Sequence, residues 1–166
     1  TGFHDVDLFI NYPVHPKSGY QTIPDYVEMK LNNDISDLKN PFEISEKLYR
    51  YADRALSLVQ SFKSVKNTEL KLTIHDIKTI AYLGQYYAHK ISGSTYVALF
   101  RETGKKHYQE KAVEELTHAL ASWKMYTQYA LEQNINPIWT NRVGIVDWQK
   151  TTQWVEDDIE IAKREL

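Results

Sequence analysis

The fold class is decided by residues 103–131, TGKKHYQEKAVEELTHALASWKMYTQYAL. Gly104 is placed to end a helix, because glycine best accepts the left-handed conformation that follows a helix C-terminus. After it, apolar residues recur with the 3.6-residue period of an amphipathic helix that runs to about Asn134. The residues of this stripe are Tyr108, Ala112, Leu116, Ala119, Leu120, Trp123, Tyr126, Ala130 and Leu131. The chain must reverse within a few residues of Gly104, so we expect a long antiparallel pair of helices.

The helix before Gly104 is predicted to begin at Thr73, with Asp76 as the acid of a capping box. Its inner stripe is rich in small residues: Ile77, Ala81, Gly84, Ala88, Ile91, Thr95, Ala98 and Leu99. A glycine inside a helix costs about 1 kcal/mol relative to alanine. We therefore expect Gly84 to allow another helix to approach closely.

Two more helices complete the predicted bundle. One spans about 41–66 and begins with a capping box of Asn40 and Glu43, with Pro41 in its first turn. Its predicted inner residues are Ile44, Leu48, Tyr51, Ala52, Ala55, Leu58, Val59 and Phe62. The other begins after the cap Asp147, with Trp148, Val155, Ile159 and Ala162 inside. The sequence thus predicts an all-α fold, an up-down-up-down bundle of four long helices, with an α-α repeat stack as the alternative.

Residues 1–40 are predicted to form an irregular N-terminal extension, and residues 41–166 the helical bundle domain. Proline and glycine interrupt the extension at Gly2, Pro13, Pro16, Gly19 and Pro24. A short helix is expected after Thr22. Several side chains are too apolar for a free linker: Phe3, Leu8, Phe9 and Tyr12. We expect them to pack on the bundle or on a missing neighbour, and the start at Thr1 rather than Met indicates a cut or processed chain.

Composition excludes several classes of function. The 166 residues contain no cysteine, which removes disulfides, thiolate metal sites and a cysteine nucleophile. The 20 Lys and Arg are mixed with 22 Asp and Glu, so no basic patch predicts a nucleic-acid partner. No apolar run approaches the roughly 20 residues that a membrane span needs. The short motifs for a nucleophile, a phosphate or a zinc ion are also missing, so we predict no catalytic residue and no cofactor.

Two local patterns suggest chemistry but are better explained structurally. Glu115 and His118 have the i, i+3 spacing of di-iron bundles, yet such a site needs a second copy of the pattern, which the sequence lacks. We therefore predict a partly exposed surface pair and no metal. His75 and Asp76 are neighbours on a helix and point about 100° apart, which disfavours an acid–base pair.

The candidate ligand-binding residues are Trp139, Arg142, Asp147 and Trp148, which lie within ten positions. Aromatic faces beside polar donors can hold a sugar ring. The alternative is a structured loop, in which Arg142 pairs with a carboxylate or helix carbonyls and both indoles cover the end of the bundle.

Four stretches between residues 23 and 162 carry a family resemblance: IPDYVEM (23–29), HDIKTIAYLGQYYAHKISGS (75–94), AVEELTHALASWKMY (112–126) and NRVGIVDWQKTTQWVEDDI (141–159). They resemble the helical C-terminal region of large exported bacterial proteins related to glycoside hydrolases, of the α-glucuronidase and hexosaminidase kind. The resemblance implies a preceding sugar-cleaving barrel on which the helices pack, and it transfers no catalytic residue.

The resemblance sets the functional expectation. It implies a non-catalytic accessory domain of a polysaccharide-degrading protein, exported or periplasmic in a bacterium. Its expected partners are the preceding domain, a saccharide and, as a further option, a second copy of the chain. Residues 104–120 also resemble half of a tetratricopeptide repeat, through Gly104, Tyr108, Ala112 and Leu116. The alternative function is therefore a protein-interaction module.

Overall fold

The computed structural model describes residues 3–62 and 64–164, so the predictions on Thr1 and Gly2 lie outside the described residues. The elements in chain order are α1 Val6–Ile10, α2 Ile23–Asn32, α3 Pro41–Gln60, α4 Thr68–Thr103, α5 Lys106–Gln133, β1 Ile138–Thr140, β2 Gly144–Val146 and α6 Trp148–Lys163. The predicted all-α class is confirmed. The structure adds two features that were not predicted, the short helix α1 in the extension and a short antiparallel hairpin of β1 and β2.

The four long helices α3 to α6 pack in sequence order, each against the next. Ser45 and Ala52 of α3 lie opposite Ser92 and Gly84 of α4, so the two helices are antiparallel. Residue pairs in the same reversed order join α4 to α5 and α5 to α6: Tyr86–Trp123, Gly93–Leu116, Trp123–Thr152 and Gln109–Ala162. The predicted up-down-up-down arrangement is therefore confirmed. Helix α4 alone has 36 residues, whereas a tetratricopeptide repeat holds both of its helices within 34 residues. Helix α4 is therefore much longer than a tetratricopeptide helix.

Most predicted helix ends are confirmed because local capping chemistry fixes them. Asn40 and Glu43 form the predicted capping box, and the side chain of Asp147 accepts a hydrogen bond from the backbone N–H of Lys150 at 3.1 Å. Gly104 adopts the left-handed conformation, with φ of 64°. These three sites set the bounds of three long helices.

The predicted start of α4 is wrong. The helix begins at Thr68, where the Asn67 side chain accepts a hydrogen bond from the backbone N–H of Leu70 at 2.8 Å. The Thr73 hydroxyl instead donates to the carbonyl of Glu69 within the helix. The predicted end of α3 near residue 66 is also wrong, because the Ser61 hydroxyl donates to the Leu58 carbonyl and closes the helix at Gln60.

Glycines in α4 bring its neighbours close. A Cβ atom on Gly84 would lie 3.3 Å from the Ala52 Cβ atom of α3, which confirms the predicted close approach. On Gly93 it would lie 2.7 Å from the side chain of Leu116, on α5. Both contacts would be overpacked with any larger residue.

The predicted inner face of α3 is partly wrong. Tyr51, Leu58 and Phe62 are exposed, whereas the buried residues of α3 are Pro41, Ser45, Ala52, Leu56 and Val59. Because α3 packs chiefly against α4, its buried strip is narrower than the apolar stripe in its sequence.

The N-terminal extension packs on the bundle and contains two helices. Val6 and Ile10 of α1 and Ile23 and Val27 of α2 belong to the same buried cluster as Leu99 of α4. Helix α1 contacts both α4 and α6. The domain boundary at residue 40 stays a prediction. No helix within the described ranges has the length and apolar character required to cross a bilayer.

Candidate functional site

The structure separates the four predicted ligand-binding residues. Trp139 lies on β1 with 71% of its surface exposed, and Arg142 lies in the exposed turn between the two strands. Trp148, the first residue of α6, is only 8% exposed. Asp147 precedes it as the helix cap. The two indoles therefore face different surroundings, and a ligand contacting all four residues stays a prediction.

Asp147 fixes both ends of the connection between α5 and α6, which comprises residues 134–147. Its carboxylate accepts hydrogen bonds from the backbone N–H of Lys150 and from the Asn136 side chain at 3.0 Å. The Asn136 side chain in turn accepts from the backbone N–H of Trp148 at 3.0 Å. The bond from Lys150, followed by that from Asn136, lowers the pKa of Asp147.

Trp148 is held by a hydrogen bond from its own ring. Its Nε1 donates to the Tyr126 hydroxyl at 3.0 Å. Trp123 lies beside them on α5, donates from Nε1 to the Thr152 hydroxyl, and meets the Tyr86 ring edge-on at 4.9 Å between centroids. Each buried indole N–H thus has a partner, which fixes the orientation of both rings.

These rings line a cavity of about 290 Å³. Its aromatic wall comes from α4, α5 and α6: Tyr86, Tyr87, Trp123, Tyr126 and Trp148. The N-terminal extension closes another side with Phe3, His4 and Phe9, and the hairpin contributes Val143 and Val146. Of the four predicted residues only Trp148 lines the cavity. We take this cavity as the candidate functional site.

A buried ion pair joins the cavity to the N-terminal extension. Lys90 and Asp158, each 1% exposed, approach to 2.7 Å between Nζ and Oδ2. Lys90 Nζ also donates to the carbonyl of His4 at 2.6 Å, and the Asp158 carboxylate accepts from the backbone N–H of Val6 at 2.9 Å. The Phe3 ring centroid lies 4.2 Å from Nζ. Two backbone groups of the extension are therefore bound directly to a charge pair of the bundle.

Burial dominates the ionisation of these groups. It raises the pKa of Asp158 and lowers the pKa of Lys90, while the charge of each partner opposes the shift in the other. Burial also raises the pKa values of Tyr86 and Tyr87. Both tyrosines are protonated at neutral pH, and their hydroxyls are hydrogen-bond donors.

Lys90 and Asp158 were not predicted as functional residues. A signal was present for Lys90, which follows Tyr86 by four residues and precedes Val97 by seven, on the buried face of α4. A charged residue at an inward position of an amphipathic helix calls for a buried partner. Nothing local identifies that partner, which is 68 residues away in sequence.

The two titratable patterns singled out in the sequence have other partners. The Glu115 carboxylate pairs with His89 Nδ1 at 2.8 Å, and the His118 ring lies 5.2 Å from that of His89. His75 pairs with Glu132 at 3.0 Å rather than with Asp76. Within residues 3–62 and 64–164, no three His, Asp or Glu side chains are grouped so as to hold a metal ion.

Comparison with known proteins shows a likeness of fold. No protein-family model matches the sequence, and no curated protein matches it. The structure is similar to part of a GH138 enzyme targeting pectin rhamnogalacturonan II, with a TM-score of 0.73 and 15% sequence identity. The likeness covers 96% of this chain and 26% of that chain, so the present chain spans about a quarter of the length of that enzyme.

Proposed function

We propose that this chain is a non-catalytic α-helical accessory domain of a polysaccharide-degrading, glycoside-hydrolase-like protein, in which it packs against a preceding sugar-cleaving domain. The observation that carries the proposal is the fold likeness, which takes in 96% of this chain but only 26% of a GH138 enzyme. The sequence resemblance across residues 23–162 points to the same kind of protein.

The chemistry of the cavity supports a non-catalytic role. Most glycoside hydrolases need two carboxyl groups that flank the scissile bond, about 5–5.5 Å or 6.5–9.5 Å apart. The residues described around the cavity include no Asp or Glu. Asp158, the carboxylate bonded to the lining residue Lys90, also accepts a hydrogen bond from the backbone of Val6.

The docked extension supports a role in positioning a neighbour. In the proposed protein, residues 3–40 connect the preceding domain to the bundle. The bonds from Lys90 to His4 and from Val6 to Asp158 fix the start of that connection on the bundle. A fixed connection limits the orientations that the two domains can adopt.

Exposed apolar residues offer a surface for such a neighbour. Trp139 and Ile145 are cross-strand partners on the hairpin, and both face solvent. Ile135, just before the hairpin, is also exposed. Exposed apolar side chains grouped in this way are typical of interaction surfaces.

The test is an activity assay of residues 1–166 with a panel of aryl glycosides and with rhamnogalacturonan II. We expect no turnover. Turnover that a single carboxylate substitution abolishes, while Asp157→Asn on the exposed side of α6 leaves it intact, would overturn the proposal. The reading frame that encodes the chain gives a second test, since we expect it also to encode a sugar-cleaving domain. A frame with helical sequence alone would contradict the accessory role.

A further inference from the structure

We propose that the aromatic cavity binds the ring of one neutral sugar, with the tyrosine hydroxyls of Tyr86, Tyr87 and Tyr126 as its polar contacts. The inference rests on the proposed function, because it assigns a ligand class to a domain of a polysaccharide-degrading protein. It differs from the sequence-based candidate site, since only Trp148 belongs to both.

The size and walls of the cavity suit a single ring. Its volume of about 290 Å³ lies at the small end of ligand pockets, which range over roughly 300–1,000 Å³. A sugar ring carries apolar C–H faces and polar edges. Trp123 and Trp148 supply aromatic surface for such faces, and both rings are fixed by their own N–H bonds.

The polar groups are donors that the fold leaves available. The Tyr126 hydroxyl accepts a hydrogen bond from Trp148 and still has its own O–H to donate. The hydroxyls of Tyr86 and Tyr87 make no hydrogen bond to another residue in the described part of the chain, and both side chains line the cavity. Sugar hydroxyls can both accept from and donate to groups of this kind.

The charge of the cavity favours a neutral ligand. Lys90 is the one Lys or Arg among the described residues that line the cavity. Its charge is neutralised by Asp158, whose Oδ2 lies 2.7 Å from the Lys90 Nζ. Two of the Lys90 protons are also directed at Asp158 and at the His4 carbonyl. A uronate or phosphate entering the cavity would lose its hydration, and Lys90 is already compensated by Asp158, so burial of the anion is costly.

Indole N–H signals in ¹H–¹⁵N NMR spectra of the full chain give a site-specific test. Trp123 and Trp148 line the cavity, whereas Trp139 lies on the exposed strand and serves as an internal control. The probes are the methyl glycosides of D-galactose, D-glucose, L-rhamnose, D-xylose and L-arabinose. D-galacturonate, also as its methyl glycoside, is the charged counterpart of D-galactose.

We expect at least one neutral sugar to shift the Trp148 signal saturably, and galacturonate to bind at least tenfold more weakly than that sugar. Three results would each overturn the inference. They are the lack of a saturable shift at Trp123 and Trp148 with every neutral sugar, shifts confined to Trp139, or galacturonate binding as tight as that of the best neutral sugar.

Hydroxyl deletions locate the contacts. Tyr87→Phe and Tyr126→Phe keep the rings and remove one donor each, and we expect either change to weaken sugar binding by roughly tenfold. Tyr129→Phe is the matched control, because Tyr129 stacks on Tyr82 away from the cavity. Unchanged binding in both cavity variants, with Tyr86 still in place, would show that the ligand lies elsewhere.

The two proposals fail separately. If no sugar binds in the cavity but the reading frame encodes a sugar-cleaving domain, the ligand assignment alone is contradicted. Saturable sugar binding by a chain without such a domain contradicts the accessory role and leaves the assignment standing.

Discussion

The N-terminal extension and the connection between α5 and α6 both lie outside the long helices, yet they differ in burial. Val6 and Ile10 of the extension are buried in the core. In the connection, Trp139 and Ile145 are 71% and 65% exposed. Both segments are rich in apolar side chains, so composition does not account for the difference.

The two segments also differ in where some of their backbone groups find hydrogen-bond partners. The backbone of the extension is bound by Lys90 and Asp158, which draw it onto the bundle. The connection instead pairs its own two strands and closes its ends through Asn136 and Asp147. Two backbone groups of the extension are therefore held by the bundle itself, whereas the connection is closed by its own strands and side chains.

The largest expected effect on stability comes from breaking the Lys90–Asp158 pair, which holds the extension on the bundle. Lys90→Met should lower the free energy of unfolding by about 3–5 kcal/mol, because it leaves the Asp158 carboxylate buried without its partner. Urea denaturation at pH 7 measures this loss.

The matched control is Lys124→Met. Lys124 pairs with Glu156 at 2.9 Å, with the two side chains 54% and 39% exposed. A solvated pair of this kind contributes at most about 1 kcal/mol. Equal losses of unfolding free energy in Lys90→Met and Lys124→Met would show that the buried pair stabilises the protein no more than an exposed pair does.

Trp139, on the hairpin, and Trp148, just after it, give a smaller and more direct contrast. Trp148→Phe removes the hydrogen bond to Tyr126 and leaves a void beside it, so we expect a loss of about 1–3 kcal/mol. Trp139→Phe, on the exposed strand, should change stability by less than about 0.5 kcal/mol. Thermal or urea unfolding checks both, and a larger loss at Trp139 would mean that the hairpin packs more tightly than its exposure indicates.

The sequence predicted the helical framework because its signals are local. Asn40, Gly104 and Asp147 act within one turn of their own helix, so the residues around each contain the information needed. The predicted start of α4 was wrong because two capping patterns, at Asn67 and Thr73, lie within two helical turns of each other. Local patterns do not rank such alternatives.

The candidate site was predictable only in part. Trp148 was identified as conspicuous, but it was grouped with Trp139, its neighbour in sequence, rather than with Tyr126, its neighbour in space. The cavity combines residues from the extension, three helices and the hairpin. One lining residue, Lys90, pairs with Asp158, which helix packing brings close and which no short sequence pattern identifies.

The smallest expected effect concerns acid stability, which depends on the cap of the connection. Asp147 has a pKa below its ordinary value of 3.8 in the folded protein, chiefly because the backbone N–H of Lys150 bonds to its charged form. The folded state therefore takes up a proton here less readily than the unfolded chain. The resulting stabilisation is present above pH 3.8 and is lost as the pH falls from there toward the folded pKa.

Asp147→Asn removes this titration and keeps a residue that caps helices about as well. We expect little change in the urea midpoint at pH 7 and a shallower decline of that midpoint below pH 4 than in the wild-type protein. Asp157→Asn, which removes a carboxylate on the exposed side of the same helix, should leave the wild-type decline in place. If Asp147→Asn also left it in place, the bonds from Lys150 and Asn136 would contribute nothing to the ionisation of Asp147, and hairpin packing alone would hold the connection closed.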